Sequence, residues 1–280
     1  MDPETTYRFE PIAATTDARE REAGLLRTVF PRAPQFDARF LRWEYDSNPS
    51  GDVVGYDAYA GHNLCAHYAA QPLDAMLFGS ATRGVLSFNT ATHPSHQGRG
   101  LFTALALRTY ERAAALGYEF VIGVANDQST PGFVSKLGFQ LVSPLSVVVG
   151  FGAPAESEGI VDYARIWSDR SRSWRLQNPA HSYHVVRGRL VCSTGVPLLK
   201  VLLSSSPWEK HADAIAFSVS HPATMWIGLR PNLRWRGVAF PLPGPLRPSP
   251  LNLIFLDLTG RGRKLDPQHV AFDALDFDAY

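Results

Sequence analysis

The sequence predicts an α/β (α+β) fold in two parts, on the basis of three observations. Strand-like and helix-like segments alternate through the first 150 residues, and one strand enters a helix through a glycine-containing loop at residues 93–102. The composition then changes abruptly to a stretch rich in Gly, Ala and Glu. A chain of 280 residues also exceeds a common single domain. We therefore expect a first domain at residues 1–150, a linker at 151–159 and a C-terminal α/β domain at 160–280.

The segments before the loop predict, in order, a strand, two helices and a β-hairpin. Residues 7–12 are typical of an opening strand, and residues 17–29 and 37–45 of helices. Residues 52–60 and 63–70 then predict two short antiparallel strands, because the Gly61-His62 pair between them has suitable turn chemistry.

The loop at residues 93–102, here called the glycine loop, joins a predicted strand at residues 84–92 to a predicted helix that ends near Gly117. Apolar residues recur along this helix at steps of three and four: Phe102, Leu105, Ala106, Thr109, Ala113 and Leu116. The first amides of such a helix lack intrahelical partners and carry the positive end of the helix dipole. Glycines in the loop would let those amides bind a pyrophosphate.

Two other phosphate-binding motifs fit this segment poorly. A nucleotide P-loop ends in Gly-Lys-Ser/Thr, whereas Gly100 is followed by Leu101 and Phe102. The dinucleotide fingerprint requires a third glycine where Thr103 stands, and the first strand lies far upstream. A tight turn that simply needs small residues is the structural alternative.

The glycine loop resembles the acyl-CoA motif of the GNAT acetyltransferase superfamily, which reads Gln/Arg-x-x-Gly-x-Gly/Ala after a strand. Gln97, Gly100 and the preceding His93-Pro94 match it, whereas Phe102 stands where Gly or Ala is usual. Residues 119–139 resemble the family's second motif. They comprise a strand, Asn126 to Ser129, and a short helix that closes on Leu-Gly-Phe.

The resemblance covers roughly residues 5–150, and it implies a mixed sheet whose parallel central strands splay apart to hold an acyl-CoA thioester. It implies acetyl-CoA as co-substrate and direct transfer of the acetyl group to an amine. The residues that it places around the cofactor are Ala91, Thr92, His93, Gln97, Gly98, Arg99, Gly100, Leu101, Phe102, Asn126, Ser129, Phe133 and Lys136. Backbone N–H groups near residues 91–93 are expected to polarise the thioester carbonyl.

The residues that handle protons depart from the family pattern. Val134 replaces the tyrosine that usually serves as general acid, and Ser129 or Ser135 could substitute for it through a water molecule. The carboxylate often found on the strand before the loop is also missing. Candidate bases, with the weaker options last, are His67, His93, His96, Glu44 and Asp57. We predict His67, His93 and Ser129 as the catalytic set, against the alternatives that His93 ends the strand and His67 is a packed residue.

The C-terminal part predicts a helix at residues 160–175, closing strands at 251–258 and 270–280, and an ordered loop at 241–250. Trp174 precedes Asn178-Pro179 much as Trp43 precedes Asn48-Pro49, which suggests a degenerate second GNAT-like half. Chance is the alternative, because Asn-Pro is a common turn. The glycine loop has no second copy, so we expect one cofactor site.

The net charge of +1 gives no general attraction to nucleic acid. Residues 1–150 carry −3 and residues 151–280 carry +4. Nine of the fifteen Arg and Lys residues of the second part form three clusters, each of which is either solvated surface or a phosphate site for a nucleotide-linked or otherwise anionic acceptor: Arg170, Arg172 and Arg175; Arg230, Arg234 and Arg236; Arg261, Arg263 and Lys264.

The sequence shows neither a signal peptide nor a membrane-length apolar run, and its two cysteines fit a reducing compartment, so we predict a cytoplasmic location. The two-part layout resembles GNAT proteins of bacterial surface-polysaccharide pathways. That resemblance implies a small-molecule amine acceptor, an amino sugar in free or nucleotide-linked form. The alternatives are a catalytically silent acyl-CoA-binding module or partner subunit, and transfer of a longer acyl chain. The sequence leaves open whether the protein forms a homodimer.

Overall fold

A computed structural model describes residues 6–154, 159–186, 188–194, 198–204, 223–243 and 251–277. The helices are α1 (Thr16–Val29), α2 (Ala38–Leu41), α3 (Leu101–Ala115) and α4 (Asp169–Leu176), with π-helical turns at Arg42–Asp46 and Gly132–Lys136. The strands of the first half are β1 (Tyr7–Pro11), β2 (Val54–Ala60), β3 (Asn63–Leu77), β4 (Ser80–Thr92), β5 (Phe120–Ala125), β6 (Gln140–Pro144) and β7 (Ser146–Pro154). Those of the second half are β8 (Tyr163–Arg165), β9 (Tyr183–Val186), β10 (Arg189–Ser193), β11 (Leu199–Leu202), β12 (Ala223–Leu229), β13 (Trp235–Pro241), β14 (Asn252–Asp257) and β15 (Val270–Asp273).

The first half is a mixed sheet, as predicted. Strands β1 to β4 pair antiparallel, and β4 pairs parallel with β5 only between Val85–Ser87 and Val121–Gly123. Beyond Ser87 the two parallel strands separate. Strands β3 and β4 are longer than the strands predicted at 63–70 and 84–92, because both continue to a turn at Phe78 and Gly79, which have positive φ. Phenylalanine gives no turn signal in a sequence, so this turn was missed.

Helices α1 and α3 are stabilised by the residues at their ends and by the burial of one apolar face. The Thr15 side chain caps α1 by accepting the Ala18 N–H, and Leu26 of α1 is fully buried. Helix α3 begins after Gly100 and buries Leu105 and Ala106 of the predicted stripe. Gly117, with φ of 82°, follows its C-terminus, as expected for a left-handed cap. None of the described helices has both the length and the apolar character needed to span a membrane.

The two halves exchange strands. Strand β7 leaves the first half and lies between β12 and β13, antiparallel to both. Strand β14 of the second half lies between β5 and β6 of the first, again antiparallel to both. The predicted linker at 151–159 is therefore wrong for residues 151–154, which belong to β7. The boundary at residue 150 also falls within that strand, so the chain is not divided there into two independent sheets.

A stacked pair of tryptophans relates the two halves, as the sequence echo suggested. The rings of Trp43 and Trp174 are 5.0 Å apart and nearly parallel. Each indole N–H donates to the other residue's main-chain carbonyl, at 2.9 and 3.0 Å. The Asx turns that follow are also alike, because Asn48 Oδ1 accepts the Ser50 N–H and Asn178 Oδ1 accepts the Ala180 N–H. These contacts join the two halves, and the degenerate repeat itself stays a prediction.

The predicted helix at residues 160–175 is wrong over its first part. Residues 163–165 form β8, which pairs with β3 and β15, and α4 starts only after Ser168, whose side chain caps it by accepting the Ser171 N–H. The predicted closing strand at 270–280 ends at Asp273, where a short 3-10 turn begins. Residues 244–250 of the predicted loop and residues 278–280 lie outside the described residues.

Substitution of Trp174 by Phe is expected to destabilise the protein by about 1–3 kcal/mol, since it leaves the buried carbonyl of Trp43 without its donor. Trp235→Phe is the matched control, because the Trp235 indole donates to the Phe151 carbonyl at an exposed site. We expect a smaller effect there, below about 0.5 kcal/mol. Urea unfolding of both variants measures the difference, and equal losses would contradict the buried reciprocal pair.

Candidate functional site

A cleft of about 670 Å³ opens where β4 and β5 separate. Its walls are the ends of these strands, from Ser87 on β4 and Gly123 on β5, together with the helical turn Gly132–Lys136. Phe30, which follows α1, and Ile254 of β14 also line it. The exchanged strand therefore contributes directly to the wall of the cleft.

A bulge in β4 shapes one wall. The register of β3 and β4 shifts so that His67 faces Ala91 and Ala69 faces Phe88. Asn89, within the bulge, has φ of 45°, a left-handed conformation that asparagine tolerates better than most residues. The bulge moves β4 out of a regular ladder and brings Asn89 to the surface of the cleft.

A second pocket, of about 300 Å³, lies at the glycine loop and shares Thr92, Gln97, Phe102 and Lys136 with the cleft. Gly98 and Gly100 have φ of 74° and 75°, and no side chain caps the N-terminus of α3. A Cβ at Gly100 would meet no atom within 4 Å, so the space in front of the loop is open. The first amides of α3 therefore face a pocket suited to an anion.

Most of the predicted cofactor residues meet around these two adjoining pockets. They are Thr92, Gln97, Gly98, Gly100, Leu101, Phe102, Asn126, Ser129, Phe133 and Lys136. Ala91 is instead buried in the core behind β4. His93 and Arg99 line neither pocket among the described residues. The resemblance implies that backbone N–H groups near His93 polarise the thioester carbonyl, but the His93 N–H already donates a hydrogen bond to the Cys65 carbonyl.

Phe102, which departs from the family motif, packs against the opposite wall. Its ring meets Phe133 edge to face at 5.1 Å, and a Cβ on Gly132 would come within 3.0 Å of it. The phenylalanine thus fills the space between the glycine loop and the helical turn. Gly132 provides the room that this ring requires.

Asn126 and Ser129 hold the start of the helical segment beside the cleft. The Asn126 side chain accepts the Ser129 N–H at 2.9 Å, and Ser129 Oγ accepts the Asn126 N–H at 3.1 Å. The Ser129 hydroxyl also lies 3.0 Å from Asn126 Oδ1. A structural role as a reciprocal cap accounts for both residues, and the catalytic role of Ser129 stays a prediction.

The structure places His67 away from the cleft. The side chain is fully buried, with Nδ1 at 2.6 Å from Asp57 and Nε2 at 2.8 Å from the Tyr45 hydroxyl. Burial alone would lower the pKa of His67, but the charge and hydrogen bond of Asp57 raise it overall. Both ring nitrogens are hydrogen-bonded within the core and His67 does not line the described cleft, so the structure favours the alternative of a packed residue, and its role as a base stays a prediction.

The other two candidate histidines, His93 and His96, lie at the rim of the glycine loop. His93 Nδ1 lies 2.7 Å from the Ser95 hydroxyl, and His96 Nδ1 lies 2.7 Å from the Tyr7 hydroxyl. Burial first, and then the charges of Arg99 and His93, lower the pKa of His96. Neither ring lines the cleft, whose only titratable lining side chain among the described residues is Lys136.

Asn89 is the cleft residue that the sequence analysis undervalued. Its amide nitrogen lies 2.6 Å from Glu44 Oε2 and 3.1 Å from the Tyr45 hydroxyl. A carboxylate only accepts hydrogen bonds, so the amide N–H₂ group must face Glu44, and Oδ1 is the acceptor of this side chain. The sequence did signal this position, because Asn89 stands near the place of the family's strand carboxylate.

Comparison with known proteins agrees with this geometry. A family model described as an acetyltransferase (GNAT) domain matches residues 10–142. Over these residues the chain is similar to a GNAT acetyltransferase domain. The match contains α1, the glycine loop, the helical turn and every lining residue of the cleft except Ile254, and it ends before the exchanged strand β7. No curated protein matches the sequence.

Three solved structures share the fold of both halves of this chain. A probable N-acyltransferase from Enterococcus faecalis has 11% identity and a TM-score of 0.61, over 91% of this chain and 73% of that one. A GCN5-related N-acetyltransferase from Anabaena variabilis has 10% identity and a TM-score of 0.58, over 90% and 73%. Eis1 from Mycobacterium abscessus has 10% identity and a TM-score of 0.55, over 90% and 74%.

Proposed function

We propose that the protein is an acetyl-CoA-dependent N-acetyltransferase that transfers an acetyl group to the amine of a small molecule. One observation carries the proposal. The cleft between the separated strands β4 and β5 adjoins the open pocket in front of the uncapped N-terminus of α3. The pocket suits the pyrophosphate of the cofactor, and the cleft has room for the pantetheine arm and the thioester.

The chain's own residues support direct transfer. The acceptor amine nitrogen attacks the thioester carbonyl carbon, the carbon–sulfur bond breaks, and the sulfur leaves as a thiolate. A thiol with a pKa of about 8.5 leaves without a general acid, so Val134 in place of tyrosine does not prevent this step. The proton of the amine passes to water, because Lys136 is the only titratable side chain that lines the described cleft.

Asn89 and Glu44 favour an acceptor that carries hydrogen-bond donors and positive charge. The amide group of Asn89 is held by Glu44 and Tyr45, so its oxygen is available to orient an amine in the cleft. The Glu44 carboxylate lies directly behind it. This wall supports an amino sugar as the acceptor class, and the nucleotide-linked form belongs to the same proposal.

A second candidate function is a catalytically silent acyl-CoA-binding module or partner subunit. Two observations favour it: Val134 occupies the usual position of the acid, and His67 lies in the core rather than in the cleft. Such a module would bind acetyl-CoA without releasing CoA in the presence of any amine.

Titration of the full chain with acetyl-CoA in a calorimeter tests the cofactor site. We expect micromolar binding, lost in Gly100→Glu because that side chain would occupy and repel the pyrophosphate position. Gly79→Glu is the matched control, since Gly79 has φ of 78° and equally open surroundings on a distant turn. Retained binding in Gly100→Glu, or none in the unaltered protein, would overturn the proposal.

A thiol-release assay with acetyl-CoA and a panel of amino sugars, free and nucleotide-linked, then separates the two candidates. Turnover with one of them supports the transferase. Tight cofactor binding without CoA release from any amine supports the silent module.

A further inference from the structure

Three hydrogen-bonded hydroxyl groups lead from the core of the first half to the cleft. The Tyr110 hydroxyl of α3 is hydrogen-bonded to the Tyr68 hydroxyl of β3, and Tyr68 lies 2.6 Å from Ser87 Oγ of β4. Both tyrosines are buried, whereas Ser87 lines the cleft. Ser87 is also the last residue of β4 in the parallel ladder with β5, so its hydroxyl lies where the two strands separate.

The residue opposite Ser87 leaves space for this hydroxyl. Gly123 of β5 pairs with Ser87 and lines the same cleft. A Cβ on Gly123 would lie 3.2 Å from the Ser87 Cβ, so a larger residue at this position would crowd the serine side chain. The glycine therefore keeps the cleft open beside Ser87.

The number of available donors and acceptors fixes the direction of these hydrogen bonds. Within the described residues, Tyr68 is the only hydrogen-bond partner of the Tyr110 hydroxyl and of the Ser87 side chain. If Ser87 donated to Tyr68 and Tyr68 to Tyr110, the Tyr110 proton would be buried without an acceptor, which is costly. In the opposite direction Tyr110 donates to Tyr68, and Tyr68 donates to Ser87. The Ser87 proton then remains for an acceptor in the cleft.

The two phenols hold this direction across the neutral and mildly alkaline range. Burial raises the pKa of Tyr68, and burial followed by the neighbouring Tyr68 charge raises the pKa of Tyr110. Both phenols therefore keep the protons that they donate, and the Ser87 hydroxyl stays a donor toward the cleft.

We infer that the Ser87 hydroxyl stabilises the oxyanion formed when an amine attacks the thioester, which rests on the proposed function. The strand from Ser87 to His93 spans about 20 Å, at about 3.3 Å per residue, and an extended pantetheine arm is of comparable length. A cofactor held at the glycine loop therefore brings its thioester to Ser87. The His93 N–H, which the family resemblance places in this role, donates to the Cys65 carbonyl instead.

The step transfers no proton from Ser87. As the amine nitrogen bonds to the carbonyl carbon, an electron pair of the C=O bond moves onto the oxygen, and the Ser87 O–H donates a hydrogen bond to it. The C=O bond then re-forms while the carbon–sulfur bond breaks and the thiolate leaves. Because Tyr68 holds Ser87 from behind, the donor is oriented before the charge develops.

Isotope-edited Raman difference spectroscopy tests the contact, with the full chain and acetyl-CoA labelled at the thioester carbonyl carbon. A hydrogen bond weakens the C=O bond, so we expect a higher carbonyl frequency for acetyl-CoA bound to Ser87→Ala than to the unaltered protein. Thr90→Val is the matched control, since it removes another hydroxyl from the same cleft, and it should leave the frequency unchanged. Should Ser87→Ala fail to fold, Tyr68→Phe, which leaves Ser87 without its donor, should shift the frequency in the same direction by less.

Calorimetric titration then identifies which oxygen of the cofactor Ser87 contacts. Ser87→Ala should weaken binding of acetyl-CoA about three- to tenfold and leave binding of CoA, which lacks the thioester carbonyl, unchanged. With an amino sugar that is acetylated, kcat should fall roughly tenfold or more at constant KM for the sugar. An equal loss of affinity for both cofactors, or an unchanged carbonyl frequency in Ser87→Ala, would overturn the inference alone. Absence of acetyl-CoA binding by the unaltered protein would overturn the proposed function and the inference with it.

Discussion

A fragment that ends at residue 154 is expected not to fold, although it contains the whole matched GNAT region. Without β14, strands β5 and β6 lose the partner that lies between them. Leu253, Ile254 and Phe255 of β14 are almost completely buried, and each such side chain contributes about 1.5–3 kcal/mol. The sum of roughly 5–9 kcal/mol is comparable with the total stability of a domain, about 5–15 kcal/mol.

The matched control restores the missing strand by a short connection. The end of β6 lies beside the start of β14, because Pro144 pairs with Asn252 and the Leu145 N–H donates to the Leu251 carbonyl. Residues 1–145 joined through a Gly-Gly turn to residues 251–259 should therefore fold. Far-ultraviolet circular dichroism with thermal unfolding compares the two fragments, and a cooperative transition in the 1–154 fragment would show that β14 is dispensable.

Replacement of Asp57 by Ala is expected to destabilise the protein by about 3–5 kcal/mol, because it leaves His67 buried without its counter-charge. Asp57 and His67 lie 2.6 Å apart, at 2% and 0% side-chain exposure. Glu22 and Arg19 belong to the same buried group, and Arg19 NH1 lies 2.7 Å from Glu22 Oε2. Urea unfolding measures the loss.

The loss should depend on pH in a defined direction. The folded protein raises the pKa of His67, so the stabilisation from its protonated form is complete below about pH 6.5, the unfolded value. It declines as the pH rises through the raised folded pKa. The effect of Asp57→Ala should accordingly be largest at acidic pH and smaller above that value.

Asp162→Ala provides the matched control. Asp162 lies 2.9 Å from His269, but both side chains are partly exposed, at 21% and 35%. We expect about 0–1 kcal/mol for this surface pair. Similar losses in the two variants would argue against a special role for the buried group.

The parts of the site that the sequence predicted are those encoded by neighbouring residues. Gly100 and the helix after it form a local motif, and the reciprocal cap of Asn126 and Ser129 spans only three residues. His67 could not be placed in this way, because its burial depends on Tyr45 and Asp57 from other segments. A histidine in a strand is equally compatible with a cleft and with a core.

The second half shows why glycines misled the linker prediction. Gly150 and Gly152 suggested a flexible connection, yet both lie in β7 against the backbone of β13. A Cβ at Gly152 would overlap the Arg236 carbonyl, so the small residue permits close strand approach. The apolar run of β14 was predicted as a strand, but periodicity does not specify which distant strands it pairs with.

The exchanged strand β14 has a consequence for synthesis of the chain on the ribosome. Roughly a hundred residues are translated between the end of β6 and the end of β14. At about 5–20 residues per second this takes about 5–20 s, during which β5 and β6 each lack the partner strand that β14 provides. Nascent chains of this length present those edges to other chains, so chaperone capture or a slowed translation rate during this interval should govern the yield of folded protein.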